Sequence, residues 1–321
     1  MIAFVEVGAA GGHARIAGGL TVLERRVREL GRAGATEVVI ATAPIAFVKP
    51  VPDTIAVTWV APGSAAPAGA VVERGDVLAG IEVVDAASAK RAEWAVLRRM
   101  NKSFEGPVDA TINWRFSMRI TRQLAKTPIT PNQITLVAIA VGIVGGMLMW
   151  RGGYLGPALA GVLLQLNSIL DSCDGELARL RFQYSKLGQW LDNLSDDISD
   201  NLFIVAAGVM LGGFWTPLAI AAAAGRIGTQ LIIYGSVYRR TGTGDVFAFR
   251  YWFEDATAST DTVYDPRKLT TWLRALGRRD TYVFLWMIVC LCGLPHWVVG
   301  HGAVMSAASV GTMAVHLWKT R

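Results

Sequence analysis

Long apolar stretches separated by short polar connections fill the C-terminal part of the chain. The first of them, residues 131–150, contains no charged side chain. Each stretch is close to the roughly 20 residues that a helix needs to cross the hydrocarbon core of a bilayer. The pattern predicts six transmembrane helices, with the last two separated by Gly300 and His301. They cover about 131–150, 155–178, 190–212, 214–236, 281–298 and 299–317.

The N-terminal part of the chain has shorter apolar runs and a different periodicity. Residues 21–32 have the spacing of an amphipathic helix, and residues 86–101 also predict a helix. Alternating apolar runs predict three strands, at 2–7, 37–43 and 54–60. Strands that alternate with helices indicate a small parallel sheet. We therefore expect an α/β cytoplasmic domain in residues 1–105 and an α-helical membrane domain in residues 106–321.

An amphipathic segment, residues 111–124, connects the two predicted domains. Its apolar face is assigned to Ile112, Phe116, Met118, Ile120 and Leu124, and three arginines project elsewhere. A helix of this kind lies in the headgroup plane of a membrane. We expect such a juxtamembrane helix here, and packing against the cytoplasmic domain is the alternative.

The composition supports a membrane protein and gives it an orientation. The chain of 321 residues is 52% hydrophobic and only 17% charged, which is too apolar for an ordinary soluble protein. Cationic residues concentrate on alternate connections, whereas the opposite connections hold little beyond Arg151. The positive-inside rule therefore places both termini on the cytoplasmic side of an inner or plasma membrane. The net charge of +6 reflects this topology and attraction to anionic headgroups. The sequence contains no stacking or groove-reading module, so no nucleic-acid partner is expected.

Four aspartates lie where the chain enters or leaves apolar stretches, a costly position that makes them candidates for function. Asp171 and Asp174 are three residues apart, and Asp192 and Asp196 are four apart, so each pair shares one helix face. The short basic connection allows the two faces to converge. Carboxylates without His or Cys favour Mg²⁺ or Mn²⁺ over Zn²⁺. Because Arg179 adds a bidentate fork for phosphate, the sequence predicts a pyrophosphate site.

The spacing of these residues resembles the signature of the CDP-alcohol phosphatidyltransferase family. All eight signature positions are present: Asp171, Asp174, Gly175, Ala178, Arg179, Gly188, Asp192 and Asp196. The resemblance covers the chain from Thr111 to its C-terminus. It implies a homodimeric enzyme with six transmembrane helices and a cytoplasm-facing site. Such an enzyme moves a substituted phosphate from a CDP-alcohol, such as CDP-diacylglycerol or CDP-inositol, to an acceptor such as a polyol phosphate, and releases CMP.

The same resemblance implies a role for each residue. Two Mg²⁺ or Mn²⁺ ions are expected to bind Asp171, Asp174, Asp192 and Asp196. Asp196 is also expected to act as the catalytic base that removes the proton from the acceptor hydroxyl. Residues 131–132 resemble the Pro-Asn element at the start of the family's first transmembrane helix. The residues implied for the nucleotide and its phosphates are Asn132, Gly175, Ala178, Arg179 and Gly188.

Three arginines are candidates for acceptor binding, and each has a second explanation. Arg226 lies in the middle of the fourth apolar stretch, where it needs an acceptor phosphate or Asp200 as its partner. In related synthases, basic residues at the ends of the fourth and fifth helices line an acceptor pocket, which implies Arg239 and Arg279. The positive-inside pattern also explains both. Asp197 points away from the face of the signature acids and is expected to be solvated or to pair two helices.

The N-terminal domain contains a glycine-bearing turn at residues 8–12 that either cradles phosphate or is a tight turn. Residues 7–42 resemble the opening of sugar-nucleotide nucleotidyltransferases, but the domain is too short for that family's metal site and sugar pocket. The resemblance implies a shortened, inactive relative. Together the two domains resemble the fused enzymes that make CDP-inositol and then di-myo-inositol phosphate phosphate, and we expect the transferase alone. Alternative functions are a transporter with intramembrane acids and an inactive scaffold.

Overall fold

The chain divides into two compact units. The computed structural model describes residues 1–8, 10–100, 106–242, 244, 246–253 and 277–320. The N-terminal unit contains Met1–Asn101 and two later segments, Thr121–Pro128 and Glu176–Gln183. The helical unit contains Lys102–Ile120, Ile129–Gly175 and Tyr184–Arg321. Each unit therefore combines segments that are distant in sequence.

A four-stranded parallel sheet forms the centre of the N-terminal unit, in the order β5–β4–β1–β6. Its strands are β1 Ile2–Glu6, β4 Glu37–Ala41, β5 Ala56–Val60 and β6 Val71–Arg74. Two hairpins accompany it, formed by β2 Ile16–Ala17 with β3 Leu20–Thr21 and by β7 Val77–Leu78 with β8 Ile81–Glu82. The three predicted strands and their parallel arrangement are confirmed. The apolar pattern does not predict β6, because this edge strand exposes Val71 and Val72.

Both predicted helices of the N-terminal unit are also confirmed. Helix α1, Val22–Arg32, buries Leu23 and Val27 in the same apolar core as the first strand. It begins after Thr21, whose side chain accepts a hydrogen bond from the backbone N–H of Glu24 at 3.1 Å. Helix α2, Ala86–Arg99, begins with a capping box in which an aspartate and a serine satisfy each other's backbone groups.

The glycine-bearing turn has a packing explanation. Gly12 begins a short 3-10 turn, and a Cβ at this position would lie 1.4 Å from the carbonyl oxygen of Val83. A Cβ on Gly8 would lie 2.5 Å from Oδ2 of Asp76. Close approach of the backbone therefore accounts for Gly12, and an adjacent carboxylate side chain accounts for Gly8, in agreement with the tight-turn interpretation.

The described part of the remaining chain contains seven α-helices: α3 Trp114–Leu124, α4 Pro131–Arg151, α5 Leu155–Arg181, α6 Lys186–Leu211, α7 Trp215–Thr241, α8 Arg279–Leu291 and α9 His296–Lys319. Most of their residues belong to the helical unit. Its apolar core includes Phe203 of α6 and Trp286 of α8, which stack with ring centroids 5.9 Å apart. The core thus joins helices that are far apart in sequence.

Among the described residues, three helices are long and apolar enough to cross a membrane: α4, α7 and α9. The acids interrupt the apolar character of α5 and α6, and α8 has 13 residues, fewer than the roughly 20 that span a bilayer. The predicted break at Gly300 and His301 is wrong, because both residues lie inside α9. The chain turns earlier, where Gly293 has φ +75 and Pro295 precedes the first turn of α9.

The amphipathic segment is helical, but the assignment of its apolar face is wrong in part. A π-helical turn at Asp109–Asn113 leads into α3. Met118 is buried and Phe116 is 54% exposed, because residues two apart on a helix point about 200° away from each other. The buried side also carries Asn113, whose Oδ1 accepts a hydrogen bond from Gln165 of α5 at 2.6 Å. Exposed Phe116 is compatible with the headgroup plane of a membrane.

Candidate active site

Two helices carry the predicted acids and bring three of them together. Asp171 and Asp174 lie on α5, and Asp192 lies on α6, which begins after the capping residue Ser185. One carboxylate oxygen from each of the three lies within 4.8 Å of the others. Asp174 is buried, whereas the other two are partly exposed. The helical spacing therefore does place acids from two helices around one point.

The beginning of α4 lies beside these acids. A capping box starts this helix, and one turn later the hydroxyl of Thr135 donates a hydrogen bond to Oδ2 of Asp174. A Cβ added to Gly188 would lie 3.1 Å from Oδ1 of Asn132. The structure thus brings together Asn132 and Gly188, two residues that the sequence assigns to the nucleotide.

The grouped carboxylates suit a hard divalent cation. Oδ1 of Asp171 is buried and has no hydrogen-bond partner among the described residues. Like charges at this separation repel one another unless a cation compensates them. A ligand set that consists of aspartate oxygens favours Mg²⁺ or Mn²⁺. The residues therefore fit the metal that the family resemblance implies.

Arg279, the first residue of α8, contacts several acids at once. Its Nη1 lies 2.7 Å from Oδ1 of Asp196 and 3.6 Å from Oδ2 of Asp171. Its Nε lies 3.3 Å from Oδ1 of Asp200, and its Nη2 donates a hydrogen bond to Oδ1 of Asn167 at 2.7 Å. Asp196 therefore faces an arginine and is not one of the three grouped acids.

Arg226 of α7 pairs with Asp200 of α6. Its Nη2 lies 3.2 Å from Oδ2 of Asp200, whose side chain is only 2% exposed. The hydroxyl of Tyr282 donates a hydrogen bond to the same oxygen. Of the two partners predicted for Arg226, the structure shows the acid. Asp197 accepts a hydrogen bond from Tyr234 of α7, which matches the predicted helix-pairing role.

The remaining signature residues lie along the C-terminal part of α5. Gly175, directly after Asp174, is partly buried. Ala178 and Arg179 belong to the N-terminal unit. Nε of Arg179 is buried and has no hydrogen-bond partner among the described residues, so the guanidinium retains donors for an anion. Arg239, the second residue assigned to the acceptor, is exposed near the end of α7.

The sequence prediction missed Thr135, which bonds to Asp174, and Asn167, which bonds to Arg279. Thr135 lies one helical turn after Pro131, and Asn167 lies one turn before Asp171, so helical spacing places both on the relevant faces. A search for polar residues on those faces would have found them. The sequence predicts that Arg279 binds the acceptor, and its contacts with the acids follow only from the tertiary structure.

Comparison with known proteins identifies the family. The chain is 32% identical over 191 residues to the bifunctional IPC transferase and DIPP synthase of Aquifex aeolicus, covering 59% of this chain and 39% of that protein. It is 34% identical over 205 residues to the Thermococcus kodakarensis protein of the same name, covering 63% and 41%. It is 35% identical over 95 residues to the archaetidylinositol phosphate synthase of Pyrococcus horikoshii, covering 30% and 48%.

These alignments span less than half the length of each of the three relatives. For the two bifunctional relatives, the similarity therefore concerns one part of a larger protein whose name gives two activities. Residues 128–317 match the CDP-alcohol phosphatidyltransferase family over more than half of this chain, and the chain belongs to that family.

Proposed function

We propose that the domain of residues 106–321 transfers a substituted phosphate from a CDP-alcohol to an acceptor alcohol and releases CMP. The family is named for CDP-alcohols. Relatives named archaetidylinositol phosphate synthase and phosphatidylinositol phosphate synthase support a polyol phosphate as the acceptor. CDP-diacylglycerol and CDP-inositol are the proposed donors. The observation that carries the proposal is the convergence of Asp171, Asp174 and Asp192 within the family-matched region.

The three grouped acids would hold the divalent cation through their carboxylate oxygens. When bound, the cation neutralises charge on the donor diphosphate and stabilises the departing CMP. Arg179 contributes a permanent positive charge that the chain itself supplies for a phosphate group. The residues proposed for the nucleotide and its phosphates are Asn132, Gly175, Ala178, Arg179 and Gly188.

Asp196 is the proposed catalytic base. The acceptor hydroxyl oxygen forms a bond to the β-phosphorus, the bond between that phosphorus and the CMP oxygen breaks, and the hydroxyl proton passes to Asp196. The contact of 2.7 Å between Nη1 of Arg279 and Oδ1 of Asp196 orients the carboxylate. Asp196 as a metal ligand stays a prediction.

The acceptor phosphate has three candidate arginines, and their surroundings rank them. Arg226 is committed to buried Asp200, which favours a structural role. Arg279 also pairs with Asp200, but it lies between Asp196 and Asp171, where it would contact an acceptor that approaches the base. Arg239 is exposed near the end of α7 and would reach the acceptor from outside. We therefore propose Arg279 as the first contact of the acceptor phosphate.

Topology, assembly and the first domain complete the proposal. We place helices α4–α9 in an inner or plasma membrane, with both termini and the acids on the cytoplasmic side. The three apolar helices and the positive connections support this arrangement. The family resemblance supports a homodimer. Residues 1–105 are proposed to be a nucleotidyltransferase-like domain without that activity.

CMP release from the purified protein tests the function directly. Mg²⁺ or Mn²⁺, CDP-diacylglycerol or CDP-inositol, and a panel of polyols and polyol phosphates would be combined, and CMP would be quantified. We expect CMP with at least one pair of substrates. A folded protein that released none with any pair would contradict the proposal.

The Asp196→Asn variant tests the proposed base. Loss of a general base lowers the rate by about 10²–10⁴-fold, so we expect that loss with CMP binding retained. Asp197→Asn is the matched control, because Asp197 is the neighbouring acid and pairs with Tyr234. Full activity of Asp196→Asn would remove Asp196 from the role of base.

A further inference from the structure

The C-terminal end of α5 contains a left-handed residue with a large side chain. Phe182 has φ +56. Its backbone N–H donates to the carbonyl oxygen of Arg179 at 3.4 Å, and the N–H of Gln183 donates to that of Ala178 at 2.8 Å. These two bonds form a Schellman cap, whose left-handed position is usually glycine. A phenylalanine there is strained, so neighbouring groups must hold it in place.

Two arginines of α1 hold the ring of Phe182. Cζ of Arg32 lies 4.8 Å from the ring centroid, and Cζ of Arg25 lies 5.5 Å from it, both within the range of cation–π attraction. Nη2 of Arg25 also donates to the carbonyl oxygen of Leu180 at 2.7 Å. Burial lowers the pKa of Arg25 to about 10, so it remains charged at neutral pH. Helix α1 therefore contacts both the backbone and the ring at this helix end.

The β2–β3 turn approaches the end of α5 at Gly18 and the segment after α3 at Gly19, and both approaches are close. Gly18 and Gly19 both have positive φ. A Cβ on Gly18 would lie 2.8 Å from Cδ1 of Leu180, and one on Gly19 would lie 2.4 Å from the carbonyl oxygen of Ala125. Glu93 of α2 holds the turn by accepting a hydrogen bond from the N–H of Gly18 at 3.1 Å. Helix α1 and the β2–β3 turn thus both contact the end of α5, and α2 holds the turn.

We propose that the N-terminal unit is a positioning domain that fixes the last turn of α5 and thereby the guanidinium of Arg179. The inference rests on the proposed function, in which Arg179 binds a phosphate of the donor. Ala178 and Arg179 supply the carbonyl oxygens of the cap, so the cap ties Phe182 to the helical turn that carries Arg179. Arg25 and Arg32 are the positioning residues. In this role the N-terminal unit does not need to bind a nucleotide.

Kinetics of Arg32→Ala test the inference, because Arg32 is exposed and its loss leaves the buried core intact. Losing one cation–π contact corresponds to about a fivefold change in an equilibrium constant. We therefore expect the KM for the CDP-alcohol to rise about fivefold, with the acceptor KM unchanged. Arg32→Lys retains the cation and should restore most of the donor KM. Arg98→Ala, an exposed arginine of α2, is the matched control and should behave as wild type.

A double-mutant cycle isolates the contact with Phe182. Phe182→Gly keeps the cap, because glycine adopts the left-handed conformation without strain, but it removes the ring. Arg32→Ala should then have no further effect on the donor KM in the Phe182→Gly background. Titration of CMP into the Mg²⁺-loaded protein measures the same effect without turnover, and the Kd should follow the donor KM.

The outcomes distinguish this inference from the proposed function. A wild-type protein that released no CMP and bound none would overturn the function. An active wild type with an unchanged donor KM in Arg32→Ala would overturn the positioning role alone. Equal rises in the donor and acceptor KM, with a lower melting temperature, would also overturn it, because they would show general destabilisation. An undiminished effect of Arg32→Ala in the Phe182→Gly background would do the same.

Discussion

The acids of the helical unit form two groups that differ in how their charge is compensated. The metal-side acids come from α5 and α6 and place carboxylate oxygens within 4.8 Å of one another: Asp171, Asp174 and Asp192. The arginine-side acids, Asp196 and Asp200, both lie on α6 and face guanidinium groups of α7 and α8 at 2.7–3.3 Å, whereas the metal-side Asp171 is 3.6 Å from Arg279. One helix thus supplies acids to both groups.

The two groups of acids therefore differ in the source of the positive charge that compensates them. Carboxylates held together in a medium of low dielectric repel one another unless a cation lies among them. On the metal side we propose that the cation comes from solution and is lost on chelation. On the arginine side, Arg226 and Arg279 provide it permanently. Metal removal and loss of an arginine should therefore change different properties of the protein.

Chelation should have the largest effect, and on activity. With the cation removed, the donor diphosphate loses several kcal/mol of charge stabilisation, and about 4 kcal/mol corresponds to about a thousandfold in rate. We expect EDTA to abolish measurable CMP release and added Mg²⁺ or Mn²⁺ to restore it. CMP production that continued in EDTA after dialysis would break the comparison, because both groups of acids would then be independent of a metal.

Arg279→Ala should have the next largest effect, and on stability. It leaves Asp196 and the nearly inaccessible Asp200 short of a cation, and removal of one partner of a buried pair costs about 3–5 kcal/mol. We expect a melting temperature well below wild type, in EDTA as well as in Mg²⁺, measured by thermal unfolding in detergent.

Arg240→Ala provides the matched control, because Arg240 is exposed at the end of α7. Its melting temperature should equal that of the wild type. An Arg279→Ala protein that was destabilised only in Mg²⁺ would mean that Arg279 acts on the metal side, contrary to the grouping.

The sequence predicts the contacts of this site between residues that are close along the chain, but not those between distant residues. The convergence of Asp171 and Asp174 with Asp192 follows from helical spacing and a short connection. The contact between Asp196 and Arg279 does not, since the arginine begins a helix far along the chain and carries no local signal. The positive-inside rule already accounts for an arginine near a membrane. The sequence therefore gives no reason to expect an acid as the partner of Arg279.

The fold shows the same limit. Helix α4 is predictable from its uncharged apolar run and from a proline at its first position. The boundary between α8 and α9 is harder to predict, because apolar residues continue on both sides of it. Gly300 does not interrupt the helix, whereas Pro295 lies at its start. Glycine at a helix-compatible position is a weaker break than proline, and the pattern of apolar residues alone does not separate the two.

Tyr282→Phe should have a smaller effect than loss of Arg279. The substitution removes the hydroxyl that donates to Oδ2 of Asp200, and a hydrogen bond to a charged group contributes about 1.5–3 kcal/mol. We expect a moderate fall in melting temperature that does not depend on the metal. Tyr154→Phe is the control, because its hydroxyl donates to the neutral carbonyl of Leu291 from an exposed position. Equal falls in both variants would mean that the charge of Asp200 contributes nothing.

The smallest effect that we expect is an increase in stability. Asp192→Asn removes one of the three repelling charges of the metal side, so in EDTA it should raise stability, by about 1 kcal/mol for the relief of one such repulsion. In saturating Mg²⁺ the wild type should instead be more stable than Asp192→Asn, because wild type gains the free energy of metal binding and the variant gains less.

Thermal unfolding of both proteins with and without Mg²⁺ measures this inversion. Asp53→Asn, in an exposed loop of the N-terminal unit, controls for the change of net charge and should show no inversion. The arginine-side acids should behave differently, since Asp200→Asn leaves Arg226 without its acid and should lower stability with or without the metal. If Asp192→Asn and Asp200→Asn lowered stability equally in EDTA, the two groups would not differ in how their charge is compensated.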